Sequence, residues 1–216
     1  MEPIPATFEQ FAAAARKCAA MGLIRCSSGN LSCRLDAQRM LVKASRAWMS
    51  ELTEDEVALC RIADGASLNG KTPSVEIGLH AGVLRTRPDC NVVLHFQSPA
   101  ATTLACRRDL GQIGFSVIPE IPYYVGPIGI VPYILPGTPE LADAVVEAMR
   151  DHDLAVLASH GQVTVGNDFD EAIQRAVFFE LACELIVRGG ERIEPLPQDA
   201  IDQLRSASRR SRVKAV

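Results

Sequence analysis

The sequence predicts a layered α/β domain. Segments of helical and of strand character alternate along the whole chain. Two short apolar runs, "NVVLHF" and "LAVLAS", have the length and composition of buried strands. The 216 residues suit one domain of ordinary size rather than an array of repeats. Intermixed elements of both kinds pack in layers of α/β or α+β type.

Taken in order, "TFEQFAAAARKCAAMGLI" opens with Thr7 as N-cap and Gln10 three residues on, a capping-box pattern, and Gly22 marks its stop. "SSGNLSCRL" is a polar turn feeding a strand, with "QRMLVKAS" as its hairpin partner. "LTEDEVALCRIADG" gives a helical turn and a strand. "SVEIGLHAGVLRTRPD" is helical, with Ser74 as its N-cap and Glu76 in its first turn. After the "NVVLHF" strand, "SPAATTLAC" opens a helix. Residues 112–137 are short β-like runs interrupted by prolines and glycines, without assignable elements. Thr138 caps "PELADAVVEAMRD", with Pro139 suited to the first helical position. "LAVLAS" ends at His160-Gly161, and "DFDEAIQRAVFFELACELIVRGG" is the longest helix, stopped by Gly189. The basic tail from about residue 204 is expected to be flexible, leaving a single domain over 1–216.

Composition narrows the function classes. A formal charge of −4 argues against a nucleic-acid binder. Seven cysteines without a CxxC pair read as reduced and structural. "MEPIPATFEQ" lacks the features of a secretion signal, and no apolar run approaches the ~18 residues of a membrane span. The expected compartment is the cytoplasm, with no membrane partner.

Three stretches could carry chemistry. "GASLNGKT" satisfies the spacing of a phosphate-cradling loop, but Pro73 biases Thr72 away from the helix that such a loop must start. Its Asp-Gly and Asn-Gly pairs mark a surface turn instead. The second candidate is a metal site. His95 and His160 end apolar strands, where layered α/β proteins tend to place their chemistry, and Glu76 lies on the preceding helix. Gln97 sits two residues beyond His95, so a strand sends both to one face, where its amide oxygen could add a ligand. Imidazole and carboxylate are ligands that zinc accepts. His80, four residues after Glu76, is expected to pack or to hydrogen-bond that carboxylate. His152 is explained by a helix C-terminus. The third is an anion site, built on the "SSGN" turn with hydroxyls at Ser45 and Ser74.

The ordered set "GLIRCSSGNLSCR", "LVKAS", "KTPSVEIGLH", "RPDCNVVLHFQ", "GT" before a helix, and "ASHG" resembles the class II aldolase/adducin family from about residue 7 to about 190. The resemblance implies one three-layer α/β/α domain around a mainly antiparallel sheet, assembled as a homotetramer with active sites at subunit interfaces. It implies a divalent cofactor (Zn2+, with Mn2+ or Co2+ as alternatives) that polarises the carbonyl of a small sugar phosphate or related hydroxy-keto compound. By the same resemblance Glu76 is the acid/base and a metal contact, and His95 and His160 are two of three metal-binding histidines. Gly29 and Asn30 form the phosphate turn, with Ser45 and Ser74 as further phosphate donors. Tyr123 or Tyr124, from a neighbouring subunit, serves the aldehyde end.

The departures from the family pattern are specific. Gln97 replaces a histidine, Val75 replaces a hydroxyl residue, and Arg46 replaces a glycine near the phosphate turn, where it could contact an acidic substrate or occupy the pocket. Two readings follow. One is a metal-dependent aldolase, with epimerase and dehydratase as variants on the same fold, favoured by Glu76. The other is a non-catalytic binding or scaffold protein like the adducin head, favoured by Gln97.

Overall fold

A computed structural model describes residues 7–214, with side chains through Arg210. The part of the N-terminal stretch before Thr7 lies outside the described residues. The elements are α1 (Phe8–Ala20), β1 (Asn30–Arg34), β2 (Arg39–Lys43), β3 (Val57–Arg61), α2 (Ile77–Thr86), β4 (Val92–Phe96), α3 (Pro99–Ala105), β5 (Ile128–Val131), α4 (Pro139–Ala148), β6 (Leu154–Leu157), β7 (Gly161–Gly166), α5 (Phe169–Gly189) and α6 (Gln198–Lys214).

The strands form one seven-stranded sheet in the order β3-β2-β1-β4-β7-β6-β5. Every pairing is antiparallel except β5 with β6. Strand alternation then sorts side chains into two cores. Val92, Leu94 and Phe96 of β4 join Phe11 of α1, Leu104 of α3 and Phe179 of α5 on one face. Val93 joins Leu79 and Leu84 of α2 and Leu141 and Val145 of α4 on the other. His95 therefore belongs to the α2/α4 face, at the end of the central strand.

Several helix starts follow the sequence signals. Thr7 makes a full capping box with Gln10, and the Thr138 hydroxyl accepts from the Leu141 backbone. The α2 start differs from expectation. Glu76, not Ser74, is the N-cap, and the Ser74 hydroxyl instead accepts from the Glu76 backbone N–H across a tight turn. Glu76 thus precedes the helix, and the expected i,i+4 relation to His80 does not apply.

Three other expectations change. "GQVTVG" forms β7, where no strand was expected. Within 112–137 the structure places a single π-type turn over Ile121–Val125 and then β5. Residues 198–214 form α6, which takes in the tail expected to be flexible from about residue 204; α6 packs on the π turn and buries Ile201. Helix α5 runs to Gly189, and the left-handed residue that ends it is Gly190 (φ 58°). Residues 67–72 of "GASLNGKT" are exposed, and no helix starts at Lys71-Thr72, in keeping with the Pro73 that follows. The described cysteines are all free thiols, and no helix among the described residues is long and apolar enough to cross a membrane.

Candidate active site

One cleft of about 320 Å³ gathers residues from far-separated parts of the chain. It is lined by Ser27–Asn30, Lys43, Ser45, Arg46, Ser74–Glu76, His95, Gln97, Pro136 and His160. The structure thus brings together Gly29, Asn30, Ser45, Arg46, Ser74, Glu76, His95, Gln97 and His160. Ser27 and Ser28 belong to the expected "SSGN" turn, whereas Lys43 and Pro136 were not anticipated. Tyr123 and Tyr124 do not line this cleft in the single chain. They sit on the π turn, where Tyr123 lines a separate hollow with Asp151, Asp202 and Arg205.

Its floor is a three-residue cluster. Glu76, His95 and His160 each offer a ligand atom, and all three atoms lie within 4.8 Å of one another. His95 Nε2 is 3.4 Å from Glu76 Oε2, and His160 Nε2 is 3.4 Å from Glu76 Oε1. His95 Nδ1 is 2.9 Å from the Gln162 carbonyl oxygen, which can only accept. The Nδ1 proton is therefore fixed there, and Nε2 of a neutral ring is left as a lone pair aimed at the cluster. The two rings meet edge to face, with centroids 4.9 Å apart.

Electrostatics follows from burial. Burial pushes the Glu76 carboxyl up, but the histidines, led by His95, and the hydrogen bond from Asn30 outweigh it and hold the group below its ordinary value. Burial, reinforced by His95 and opposed by Glu76, pulls His160 down and favours its neutral, metal-binding form. Glu76 Oε1 and His160 Nδ1 are buried without any hydrogen-bond partner. An ionised carboxylate and two imidazoles converging this closely, with one carboxylate oxygen bare, are a donor set that a divalent cation satisfies. The residues present fit such an ion, and Gln97 stands beside them.

Two glycines make the convergence sterically feasible. A Cβ on Gly161 would lie 2.6 Å from the Phe96 carbonyl oxygen, 2.8 Å from Gln97 Cγ and 3.2 Å from His95 Cε1. Gly29 (φ 65°) would meet Ile24 Cδ1 at 2.3 Å and the His95 carbonyl oxygen at 2.8 Å. On the other side of β4, Glu180 of α5 accepts from Ser98 Oγ at 2.6 Å and from the backbone N–H groups of Ala100 and Ala101 at 2.8 Å each. That carboxylate caps α3 and fixes the bend that carries Gln97.

The rim is polar and cationic. Lys43 is buried, donating to the Ser27 carbonyl at 3.2 Å and the Ala47 carbonyl at 2.8 Å, so it ties together the two loops of the anion turn. Burial lowers its pKa, opposed by Glu76 and Glu56. Arg46 is exposed, forms no ion pair among the described residues, and has left-handed backbone (φ 64°). His80 does not touch Glu76; Asn30 stands between them, its Nδ2 donating to Glu76 Oε2 at 2.9 Å and its Oδ1 2.5 Å from His80 Nε2. His152 Nδ1 donates to the Ala148 carbonyl at 2.7 Å, at the end of α4 as expected.

Comparison with known proteins decides the family. The profile of the Class II Aldolase and Adducin N-terminal domain matches residues 9–187. The chain belongs to the class II aldolase/adducin family. The 3-oxo-tetronate 4-phosphate decarboxylase of Escherichia coli (strain K12) is 33% identical over 185 residues, covering 83% of this chain and 86% of that protein. The 5-methylthioribulose-1-phosphate/5-deoxyribulose-1-phosphate aldolase of Rhodospirillum rubrum is 31% identical over 198 residues, covering 88% and 86%. Among solved structures, YgbL from Klebsiella pneumoniae superposes with a TM-score of 0.86 at 27% identity, covering 92% of this chain and 97% of that one. An L-fuculose 1-phosphate aldolase superposes at 0.85 and 22% identity, covering 96% and 98%, a likeness of fold. The three-layer architecture and the mainly antiparallel sheet are those of the family.

Proposed function

We propose that the protein is a metal-dependent carbon–carbon lyase acting on a small phosphorylated hydroxy-keto compound, by aldol cleavage. The observation that carries this reading is the Glu76–His95–His160 cluster with its bare Glu76 Oε1. Those three side chains would hold the ion, zinc, manganese or cobalt, with Gln97 beside it. The bound ion supplies Lewis acidity toward a carbonyl oxygen. Glu76, held ionised, accepts or returns the proton at the carbanionic carbon. The Ser28-Gly29-Asn30 turn, Ser45 and Ser74 receive the phosphate, with Lys43 beneath them, and Arg46 engages the substrate's anionic end from the rim.

Assembly belongs to the same proposal. Val75, which lines the cleft, is 71% exposed, and Tyr133 and Leu135, on the segment leading to the cleft residue Pro136, are 60% and 63% exposed, apolar surface suited to a neighbouring copy. In a homotetramer Tyr123 or Tyr124 of that copy would complete the pocket at the aldehyde end. Free thiols and relatives that are bacterial metabolic enzymes fit a cytoplasmic setting.

A second reading, decarboxylation of a phosphorylated 3-oxo acid, is favoured by the Escherichia coli relative and by a cation at Arg46 able to meet a carboxylate. The experiment that separates them supplies ketose phosphates and phosphorylated 3-oxo acids to metal-loaded protein and measures aldehyde against CO2. Chelator-sensitive aldehyde release supports the first reading, and CO2 without aldehyde the second. Neither product from metal-bound protein would replace both with a binding role.

A further inference from the structure

Behind the cleft lies a continuous buried chain of polar side chains. Ser32 Oγ is 2.7 Å from His80 Nδ1, His80 Nε2 is 2.5 Å from Asn30 Oδ1, and Asn30 Nδ2 is 2.9 Å from Glu76 Oε2. Ser32 and His80 are fully buried, and Asn30 and Glu76 nearly so. Ser32 pairs with Val42 and Val93 across the sheet, among the apolar residues of the α2/α4 face. An apolar side chain would pack there without the cost of burying a hydroxyl.

Chemistry fixes the direction of every link. An ionised carboxylate only accepts, so the Asn30 NH2 faces Glu76 and the Asn30 oxygen faces His80. An amide oxygen only accepts, so His80 carries its proton on Nε2. The neutral ring then has its lone pair on Nδ1, which accepts from the Ser32 hydroxyl. The Ser32 hydroxyl, which can donate or accept, gives the buried His80 Nδ1 its partner and follows the tautomer set from the Glu76–Asn30 end. That tautomer blocks rotation of the Asn30 amide, because a turned amide would set two donors against each other. The burial that pulls His80 down to about 3, opposed mainly by Glu76, keeps the ring in the singly protonated form that this chain needs.

We infer that Ser32 and His80 are positioning residues. Through Asn30 they occupy Glu76 Oε2 and pin the carboxylate, leaving Oε1 for the reacting centre. The inference rests on Glu76 being the working carboxylate of the proposed lyase.

The test uses the full metal-free chain with 15N-labelled histidine. NMR is expected to show His80 protonated on Nε2 and bare on Nδ1 at neutral pH. Ser32→Ala, which leaves His80 Nδ1 buried without a partner, is expected to weaken Zn2+ and Mn2+ binding by roughly 10- to 100-fold, the usual effect of losing a partner behind a metal ligand. Ser32→Thr, which keeps the hydroxyl, is expected to restore metal binding. A wild-type ring protonated on Nδ1, or Ser32→Ala binding metal as tightly as wild type, would overturn the inference. If Ser32→Ala does not fold, the wild-type spectrum decides it. A wild-type chain that binds no metal sinks the lyase reading, while the tautomer still decides the chain of hydrogen bonds.

Discussion

Two carboxylates flank the end of strand β4, one on each face of the sheet, and they are built for opposite purposes. Glu180, on the α5 face, receives three hydrogen bonds, from Ser98 Oγ and two backbone N–H groups. Glu76, on the α2 face, has one oxygen held by Asn30 and the other buried and bare between two histidines. A carboxylate with its lone pairs filled holds a helix in place. A buried carboxylate oxygen without a hydrogen bond costs stability. The contrast sets the proposed chemistry on one side of the strand and its scaffold on the other.

Breaking each side should give different signatures. Glu76→Gln should lower the lyase rate by roughly 10²–10⁴-fold while leaving the thermal midpoint unchanged or raised, because it removes a strained charge and keeps the shape. Equal loss of rate and stability would make Glu76 structural.

Acid should act next, through His80 behind Glu76. The unfolded chain takes up that proton near pH 6.5 and the folded chain only near 3. Stability is therefore full above 6.5 and falls as the pH drops through this window, by about 1.4 kcal/mol per pH unit from this group. Urea midpoints between pH 7 and 4 should show the slope, and His80→Gln should flatten it.

On the opposite face, Glu180→Ala should cost about 1–3 kcal/mol in denaturant unfolding, since it strands the N–H groups that start α3. Its effect on metal affinity should be small beside that of Glu76→Gln. The smallest effect is expected at the rim. Arg46 holds a left-handed backbone that glycine adopts freely, so Arg46→Gly should raise stability by about 1 kcal/mol. The same change should weaken binding of anionic substrates and reduce its salt dependence. A loss of stability instead would give Arg46 a structural role.

What the sequence disclosed and what it concealed divide along physical lines. Local signals sufficed for the Thr7 and Thr138 caps, the buried strand that carries His95 and the Pro73 veto on the phosphate loop. Strand β7 was missed because "GQVTVG" is short, bounded by glycines, and stands between a histidine read as a strand end and the cap of α5. The π turn owes its form to packing against α5 and α6, which no local pattern encodes. Helix α6 reads as a tail because Ile201 is its one buried side chain among those described.

The site was half legible in the same sense. Histidines at strand ends and a nearby Glu announce themselves, and the ordered motifs added the turn residues. The Ser32–His80–Asn30 chain did not, because it joins strand β1 to helix α2 across about fifty positions and exists only once the sheet has formed. Lys43 ends a strand pattern and looks exposed until two loops close over it.

The most direct test of the central claim is divalent metal content, by mass spectrometry, of protein purified without a histidine tag, beside a His95→Ala control. The account predicts close to one ion per chain, lost in the control. A wild-type chain that takes up no ion, even after incubation with zinc, manganese or cobalt, would contradict it.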